Sequence, residues 1–436
     1  MESMEWSLPA AFEVVGAAAP DRAMLVWKNT RRTYAEVAAR TRSLASFLQR
    51  HGIGVCRERH ELERWECGQA TVALLLYNCP EYIEAMLGCF RARAVPFNVN
   101  QHYRPEEVRG LLDMLDAEAV IYHRALAPLV AEATKGRQLL LVDVDDGSGV
   151  APLAGSTSFA DAASEPVAAD LSTPSPDDLC LVCTGGTTGS PKAVLWRQGD
   201  IFVAAMGGTE DTTRGSLTAK AASGGGAWFA APPLMHAAAQ WTAFAGIHSG
   251  GTIVLHDDAA PFDARTILET VARERVTMMS IVGDAFARPL LAELRRTPYD
   301  LASLQMIGTG GAVTSAAVKQ QLLELLPHVA IVDGYGASET GGMPTVRRDA
   351  PGCRAASHLR PVPRCCRLTG VASSRQATTR SAGPHGAVAY RSGISATARR
   401  PRRPSRSSTA SASPFPAIGR VCRPTEPSPC SAATRW

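Results

Sequence analysis

A nine-residue stretch rich in glycine and threonine, flanked by two short apolar runs, constrains the fold of this chain more than any other segment. It reads Thr184-Gly-Gly-Thr-Thr-Gly-Ser-Pro-Lys192 and separates residues 179–183 from residues 193–196. Glycines permit positive φ and close approach of the backbone to a ligand, while hydroxyls and the lysine offer donors and positive charge to phosphate oxygens. The pattern predicts a strand, a phosphate-binding loop and a second strand.

This loop has two other interpretations. The Gly-x4-Gly-Lys-Ser/Thr phosphate loop is excluded, because it requires lysine directly after glycine and a helix behind it. In this chain Ser190 and Pro191 intervene, and β-forming residues follow. A surface turn that binds no ligand is the remaining alternative.

The loop resembles the signature of the adenylate-forming enzymes, a family that includes acyl-CoA synthetases, luciferases and peptide-synthetase adenylation domains. That signature reads Thr-Ser/Gly-Gly-Thr-Thr-Gly-x-Pro-Lys-Gly. This chain matches it up to Lys192 and departs at Ala193, where the family has glycine. The resemblance implies that the loop holds the phosphates of ATP. The residues assigned to this role are Thr184, Gly185, Gly186, Thr187, Thr188, Gly189 and Lys192.

A second segment, Asp333-Gly-Tyr-Gly-Ala-Ser-Glu339, resembles the family's Gly-Tyr-Gly-x-Thr-Glu motif and follows the first in the family's order. Tyr335 offers a flat face to adenine, Ser338 a hydroxyl to the α-phosphate, and Glu339 a hard oxygen ligand to the Mg²⁺ that accompanies ATP. A Tyr-Gly turn with an incidental glutamate is the alternative. The nucleotide-binding residues predicted here are Asp333, Gly334, Tyr335, Gly336, Ala337 and Ser338.

Two weaker segments support the same site. The first, Ile307-Gly-Thr-Gly-Gly-Ala312, follows an apolar run and resembles the family's adenine-side Gly-Gly-Ala-Pro motif, with Val313 in place of proline. Its glycines allow a purine edge to reach the backbone. The residues assigned to the adenine side are Gly310, Gly311 and Ala312.

The second, Pro232-Pro-Leu-Met-His236, resembles the family segment whose histidine lies beside the acyl carboxylate. A lone histidine that opens an apolar helix can equally be structural. The resemblance favours His236 as a catalytic residue, together with Lys192 and Ser338.

Short apolar runs alternate with amphipathic stretches from about residue 70 to residue 333, which predicts an α/β fold with layered, largely parallel sheets flanked by helices. One helix is predicted after Pro80, and another through Val318, Leu322 and Leu325. Residues 145–178 and 214–226 are predicted to be irregular, the latter flexible. The resemblance adds a small β-barrel-like part. Strands are predicted at residues 139–142, 252–255, 277–281 and 329–332.

The charge is unevenly distributed along the chain. Residues 350–436 contain fifteen arginines, no lysine and one acid, so this tail carries about +14 within a net charge of +4. Its low content of large apolar residues predicts disorder. A nucleic-acid-binding arm is disfavoured, because interleaved aromatics and lysines are missing. We therefore expect an AMP-binding domain at residues 1–349 followed by a tail foreign to the family.

The resemblance also implies a ribose-binding aspartate, a hinge and a C-terminal domain with a catalytic lysine, and none of these is found in the tail. We hypothesise a shifted reading frame, since shifted GC-rich codons yield Arg, Pro, Ala and Ser. If no alternative frame after residue 349 encodes the missing motifs, this hypothesis is wrong.

Targeting signals are not predicted. Apolar runs such as residues 70–77 are far shorter than the roughly 18 residues that cross a bilayer, and the acidic start lacks the basic region of a signal peptide. We expect a cytoplasmic protein with no transmembrane segment and no nucleic-acid partner.

The resemblance implies an ATP-dependent acyl-CoA ligase that uses Mg²⁺ and coenzyme A and is impaired by loss of the C-terminal domain. The variant loop and the sequence Trp196-Arg-Gln look most like actinobacterial enzymes for long-chain fatty acids or steroid side chains. Two alternatives remain, an adenylation enzyme with another acceptor and a non-catalytic relic that binds ATP or acyl groups.

Overall fold

The computed structural model describes residues 5–63, 65–184, 192–334, 336–342, 346–348 and 388–389, the last two segments by their backbone alone. The tail beyond residue 349, apart from residues 388–389, lies outside the described residues. So do six of the residues assigned to the nucleotide, namely Gly185, Gly186, Thr187, Thr188, Gly189 and Tyr335.

The described part of the chain forms twelve α-helices and two short 3-10 helices. The α-helices are α1 (Leu8–Ala18), α2 (Tyr34–Arg50), α3 (Pro80–Arg91), α4 (Pro105–Met114), α5 (Ala127–Ala133), α6 (Phe159–Ala162), α7 (Gln198–Ala204), α8 (Arg214–Ser223), α9 (Ala237–His248), α10 (Ala264–Arg273), α11 (Gly283–Arg296) and α12 (Ala316–Leu325).

The strands form four sheets. They are β1 (Ala23–Trp27), β2 (Thr30–Thr33), β3 (Thr71–Leu75), β4 (Val95–Asn98), β5 (Ala119–His123), β6 (Leu140–Val144), β7 (Thr157–Ser158), β8 (Leu179–Thr184), β9 (Lys192–Arg197), β10 (Ala227–Ala230), β11 (Thr252–Leu255), β12 (Met278–Ile281), β13 (Met306–Thr309), β14 (Ala330–Asp333), β15 (Gly336–Ala337), β16 (Gly341–Gly342), β17 (Val346–Arg348) and β18 (Val388–Ala389).

The largest sheet has eight strands in the order β17-β14-β13-β12-β10-β11-β1-β2. Its six central strands are parallel, and β2 and β17 join the two edges antiparallel. A second sheet, β4-β3-β5-β6-β7, is entirely parallel. Since parallel strands need helical crossovers, both sheets are flanked by helices, which confirms the predicted α/β class.

The helices α1, α2, α3 and α9 pack between the two large sheets. This central core contains Leu74 of β3 and Ile253 of β11 together with Phe90 of α3 and Phe244 of α9. The helices α10, α11 and α12 cover the other face of the eight-stranded sheet, and α4 and α5 cover the other face of the five-stranded sheet. Alternate strand residues therefore belong to different cores, as the strand period of two requires.

Local sequence signals account for several elements. Helix α2 begins with a capping box between Thr33 and Glu36, and α3 begins at Pro80, as predicted. The strand at residues 252–255 has the predicted bounds, and the other three predicted strands shift by one or two residues at their ends. In α12, Val318 and Leu322 are buried, whereas Leu325 is 38% exposed.

Two expectations about irregular segments have different outcomes. The prediction of a flexible stretch over residues 214–226 is wrong, because α8 covers most of it. Thr213 caps this helix through a reciprocal bond with Ser216, and Leu217 and Ala221 are buried one turn apart. The connection at residues 145–178 is irregular apart from the short elements β7 and α6.

The expected barrel-like part corresponds to a small antiparallel sheet in the order β18-β9-β8. Within the described residues these strands form no closed barrel. A separate hairpin joins β15 to β16.

Candidate functional site

A cavity of about 690 Å³ opens where the carboxyl ends of β10, β12, β13 and β14 meet the ends of β8 and β15. Ligands of open parallel sheets bind at such edges. The sequence-predicted residues that line the cavity are Thr184, His236, Gly310, Gly311, Gly334, Gly336, Ala337 and Ser338.

The predicted strand-loop-strand arrangement is present. Strands β8 and β9 form an antiparallel hairpin in which Thr184 pairs with Lys192, so both residues stand at the mouth of the loop between them. Along β8, Cys180 belongs to the central core and Cys183 to the core under the five-stranded sheet. These cysteines therefore point to opposite faces.

The second predicted segment is a tight hairpin whose turn carries Ser338 and Glu339. Gly336 pairs with Gly342, and a Cβ atom on Gly336 would lie 2.4 Å from the carbonyl oxygen of Gly341, so only glycine fits there. The indole Nε1 of Trp196 on β9 donates to the carbonyl oxygen of Ser338 at 2.8 Å. This bond ties the second segment to the strand that leaves the predicted phosphate loop.

The adenine-side segment follows β13 directly, as predicted. The N–H of Gly310 donates to the carbonyl of Ile281 at 3.2 Å, and the N–H of Gly334 donates to the carbonyl of Thr309 at 2.6 Å. The ends of three neighbouring strands are thereby held together. Gly310 and Gly311 face the cavity, whereas Ala312 does not line it.

Asp333, also assigned to the nucleotide, does not line the cavity. Its carboxylate forms a 2.6 Å ion pair with Lys319 of α12 and accepts a 2.8 Å hydrogen bond from the hydroxyl of Thr309. These contacts lie on the helix-covered face of β14, away from the face that carries Val332 and Gly334. The arrangement supports the strand end rather than presenting the carboxylate to the cavity.

His236 occupies the N-cap position of α9 and lines the cavity, in agreement with a histidine that opens an apolar helix. Its side chain makes no capping hydrogen bond. The His236 side chain is exposed at the cavity, and the protein atoms that surround its imidazole lower its pKa below the ordinary value by reducing its solvation. His236 is therefore neutral at neutral pH and offers hydrogen bonding rather than charge.

Two asparagines that sequence reasoning missed hold the backbone around His236. The Asn98 amide nitrogen donates to the carbonyls of Met235 at 2.5 Å and Cys183 at 2.8 Å. Asn78 accepts from the N–H of Leu234 at 2.6 Å. Asn98 ends β4, and Asn78 closely follows β3. A polar residue at the end of a buried parallel strand is typical of a ligand site, and this pattern could have identified both asparagines from the sequence.

The inner part of the cavity is apolar except for Ser280 and Thr242, and we call it the apolar arm. It runs between one face of α9 and the facing side of the eight-stranded sheet. Its residues are Trp228, Ala238, Trp241, Ala245, Met278 and Met306. A polar mouth joined to an apolar arm can hold an amphipathic ligand with its polar end at the strand edges.

Glu339, assigned to the metal, lies partly buried in the hairpin turn next to Ser338. Across the described residues there is no group of three or more histidines, cysteines, aspartates or glutamates that could hold a metal ion. A magnesium ion bound through one carboxylate and substrate phosphates does not require such a group. Glu339 fits that kind of site.

None of the helices in the described ranges is both long enough and apolar enough to cross a membrane.

The sequence matches the family described as AMP-binding enzyme over residues 12–372. It is 41% identical over 346 residues to the medium-chain acyl-CoA ligase Mig of Mycobacterium avium, covering 77% of this chain and 63% of that protein. It is 31% identical to the 3-oxocholest-4-en-26-oate–CoA ligase of Rhodococcus rhodochrous, covering 74% and 58% respectively. The chain thus spans about three fifths of the length of these relatives.

The fold is similar to that of solved structures. The N-terminal domain of FACL13 from Mycobacterium tuberculosis, determined with an inhibitor bound, superposes with a TM-score of 0.59 at 22% identity. The superposition covers 77% of each chain. At this identity the likeness concerns the fold alone.

Proposed function

This chain belongs to the AMP-binding enzyme family, and from that premise we propose that it is an ATP-dependent ligase that joins a carboxylic acid to coenzyme A. The observation that carries the proposal is the convergence of two distant segments on one cavity. Thr184, at the start of the phosphate loop, and Ser338, in the second segment, both line it. A direct hydrogen bond from Trp196 to Ser338 holds the two segments together.

The proposed reaction has two steps. A carboxylate oxygen attacks the α-phosphorus of ATP, the bond to the bridging oxygen breaks, and pyrophosphate leaves with that electron pair. The thiolate of coenzyme A then attacks the acyl carbonyl, and AMP leaves. Catalysis comes from alignment and charge neutralisation, without a covalent enzyme intermediate.

The proposed roles follow the residues of the site. The loop from Thr184 to Lys192 binds phosphate oxygens, and Ser338 contacts the α-phosphate. Magnesium, when bound, neutralises phosphate charge and is held by Glu339 together with phosphate oxygens. Tyr335 stacks on adenine, and the backbone at Gly310 and Gly311 faces the purine edge. Ala312 and Asp333, which do not line the cavity, are proposed to hold the ends of β13 and β14 rather than to contact the nucleotide.

His236 positions the carboxylate at the mouth of the apolar arm. Because reduced solvation lowers the pKa of its imidazole, His236 is neutral and leaves the carboxylate nucleophilic. A protonated histidine would hold the carboxylate by charge and reduce its reactivity. This role agrees with the position of His236 between the polar mouth and the apolar arm.

The acyl substrate is proposed from the relatives and from the apolar arm. The relatives are named for medium-chain acyl groups and for a steroid acid. Both are carboxylates with an apolar body, which matches a cavity that is polar at its mouth and apolar inside.

Exchange of radiolabelled pyrophosphate into ATP, measured with a panel of carboxylic acids, tests the first step. Exchange that depends on an aliphatic acid supports the proposal, and Lys192→Ala should abolish it. Acid-dependent exchange without acyl-CoA formation would indicate a different acceptor, such as a carrier-protein thiol. ATP binding without any exchange would indicate a non-catalytic relic.

A further inference from the structure

We infer that the apolar arm accepts an unbranched acyl chain of medium length, and that Gly308 and the residues Trp228, Met278 and Met306 set this limit. The inference rests on the proposed function and names its substrate class. It distinguishes between a medium-chain acid and a steroid acid, the two kinds of substrate in the names of the relatives.

Strand register defines the end of the arm. Trp228 of β10 pairs with Met278 of β12, which pairs with Met306 of β13. These three large side chains stand side by side across the sheet and line the cavity. The next residues along β12 and β13, Met279 and Ile307, belong to the core on the opposite face. The row therefore presents three adjacent large side chains to the cavity, and we assign it as the floor of the arm.

The floor is held in place around Trp228. The indole Nε1 donates to the carbonyl of Gly225 at 2.7 Å, which fixes the ring orientation. Helix α9 approaches the ring so closely that a Cβ atom on Gly246 would lie 3.1 Å from Trp228 and 2.5 Å from Ile253. Because α9 and this bond restrain the indole, the ring cannot readily swing aside to admit a longer chain.

Ideal strand and helix spacings give the depth of the arm along its two walls. Gly310 at the mouth and Met306 at the floor lie four residues apart on one strand, which corresponds to about 13 Å. On the opposite wall, Ala238 and Ala245 of α9 lie seven residues apart, which corresponds to about 10 Å. An extended chain advances roughly 3.5 Å for every three bonds, so the arm fits about ten carbon atoms.

Gly308 leaves room halfway along the arm. It pairs with Ser280 and Val332 in the row between mouth and floor, and it lines the cavity. A Cβ atom on Gly308 would meet nothing closer than the carbonyl oxygen of Met279 at 3.9 Å. The position therefore tolerates a side chain sterically, and any side chain placed there would occupy the path of the acyl group.

A steroid acid does not fit this shape. Its fused rings lie at the far end of an alkyl side chain, so the molecule is longer than the arm. Reaching past Trp228, Met278 and Met306 would require the floor to move.

The test measures binding rather than turnover. Calorimetry on the full chain gives affinities for acyl-sulfamoyl adenosines from butanoyl to hexadecanoyl, with adenosine sulfamate as the reference without an acyl group. We expect affinity to rise about fourfold per methylene up to roughly decanoyl and then to level off or fall. A sterol-acid analogue should bind no better than the butanoyl compound.

Gly308→Val should move the limit to about hexanoyl, since only about 7 Å of strand separates residue 308 from Gly310. Its affinity for the decanoyl compound should fall about a hundredfold or more, while that for adenosine sulfamate stays unchanged. Ile307→Val, on the opposite face of β13, is the matched control and should leave the dependence of affinity on chain length unaltered.

Met306→Ala should deepen the arm so that the dodecanoyl compound binds as well as the decanoyl compound, without disturbing the hydrogen bond that holds Trp228.

Equal affinity across chain lengths, or tight binding of the sterol-acid analogue, would overturn the inference while the proposed function stands. If neither adenosine sulfamate nor any acyl compound binds, the proposed function itself fails and the inference fails with it.

Discussion

Asn98 holds the backbone of Cys183 from both sides. Its carbonyl oxygen accepts from the N–H of Cys183 at 2.8 Å, and its amide nitrogen donates to the Cys183 carbonyl at 2.8 Å. The same nitrogen donates to the carbonyl of Met235, which precedes His236. One side chain, only 6% exposed, thus fixes the strand that enters the predicted phosphate loop against the segment that carries His236.

Replacing Asn98 with aspartate should weaken ATP binding by about ten- to a hundredfold. The new carboxylate would face two carbonyl oxygens that have lost their donor, a loss of about 1–3 kcal/mol. Titration calorimetry with ATP measures the effect. Asn78→Asp is the comparison, because Asn78 contacts the His236 segment without touching Cys183. Equal losses in the two variants would show that the link to β8 is unimportant.

Trp196→Phe should reduce ATP affinity several-fold while the fold is retained. The substitution keeps an aromatic ring in the core and removes only the donor to Ser338, a bond with a net contribution of about 1 kcal/mol. Trp27→Phe is the matched control, since the buried Nε1 of Trp27 has no partner among the described residues. If both variants bind ATP alike, the hydrogen bond does not position the second segment.

The stability of the protein should fall as the pH is lowered from about 6.5 to about 4. Burial lowers the pKa of His248 to about 4, and its Nδ1 lies 2.7 Å from the carbonyl of Met206. Between the two pKa values the unfolded chain binds a proton on this residue and the folded chain does not. Linkage therefore removes about 3 kcal/mol of unfolding free energy over this range.

Urea unfolding at several pH values, for the wild type and His248→Phe, isolates this contribution. The variant should lose a hydrogen bond at every pH but should show a shallower decline in acid. Parallel curves for the two proteins would mean that His248 ionises equally in both states.

Gly88→Ala should destabilise the protein by about 1–3 kcal/mol, although alanine favours helices. A Cβ atom on Gly88 of α3 would lie 2.5 Å from the side chain of Leu44 on α2. Thermal unfolding measures the loss. Leu44→Ala should relieve the clash, so the double variant should be more stable than the two single effects predict. Additive effects would place the strain elsewhere.

The local features of this chain could be predicted from sequence. Pro80 begins a helix, the Thr184–Lys192 pair closes a hairpin, and His236 opens α9, because caps, turns and apolar periodicity act within a few residues. The α/β class follows from the same alternation. One local prediction failed at residues 214–226, since the run of glycines at residues 224–226 favoured flexibility but only follows a helix that Thr213 caps.

Which of these features meet depends on the packing of distant segments. Asn98 reaches Met235 and Trp196 reaches Ser338 across 137 and 142 residues of chain. The order of strands in the sheet, which local pattern does not encode, brings those backbones together. Strand alternation turned Asp333 towards Lys319 and left Gly308 facing the cavity. The sequence determined which functional groups the site can use. Packing determined which side chains reach the cavity, because the pairing of distant strands depends on the burial of whole sheet and helix faces.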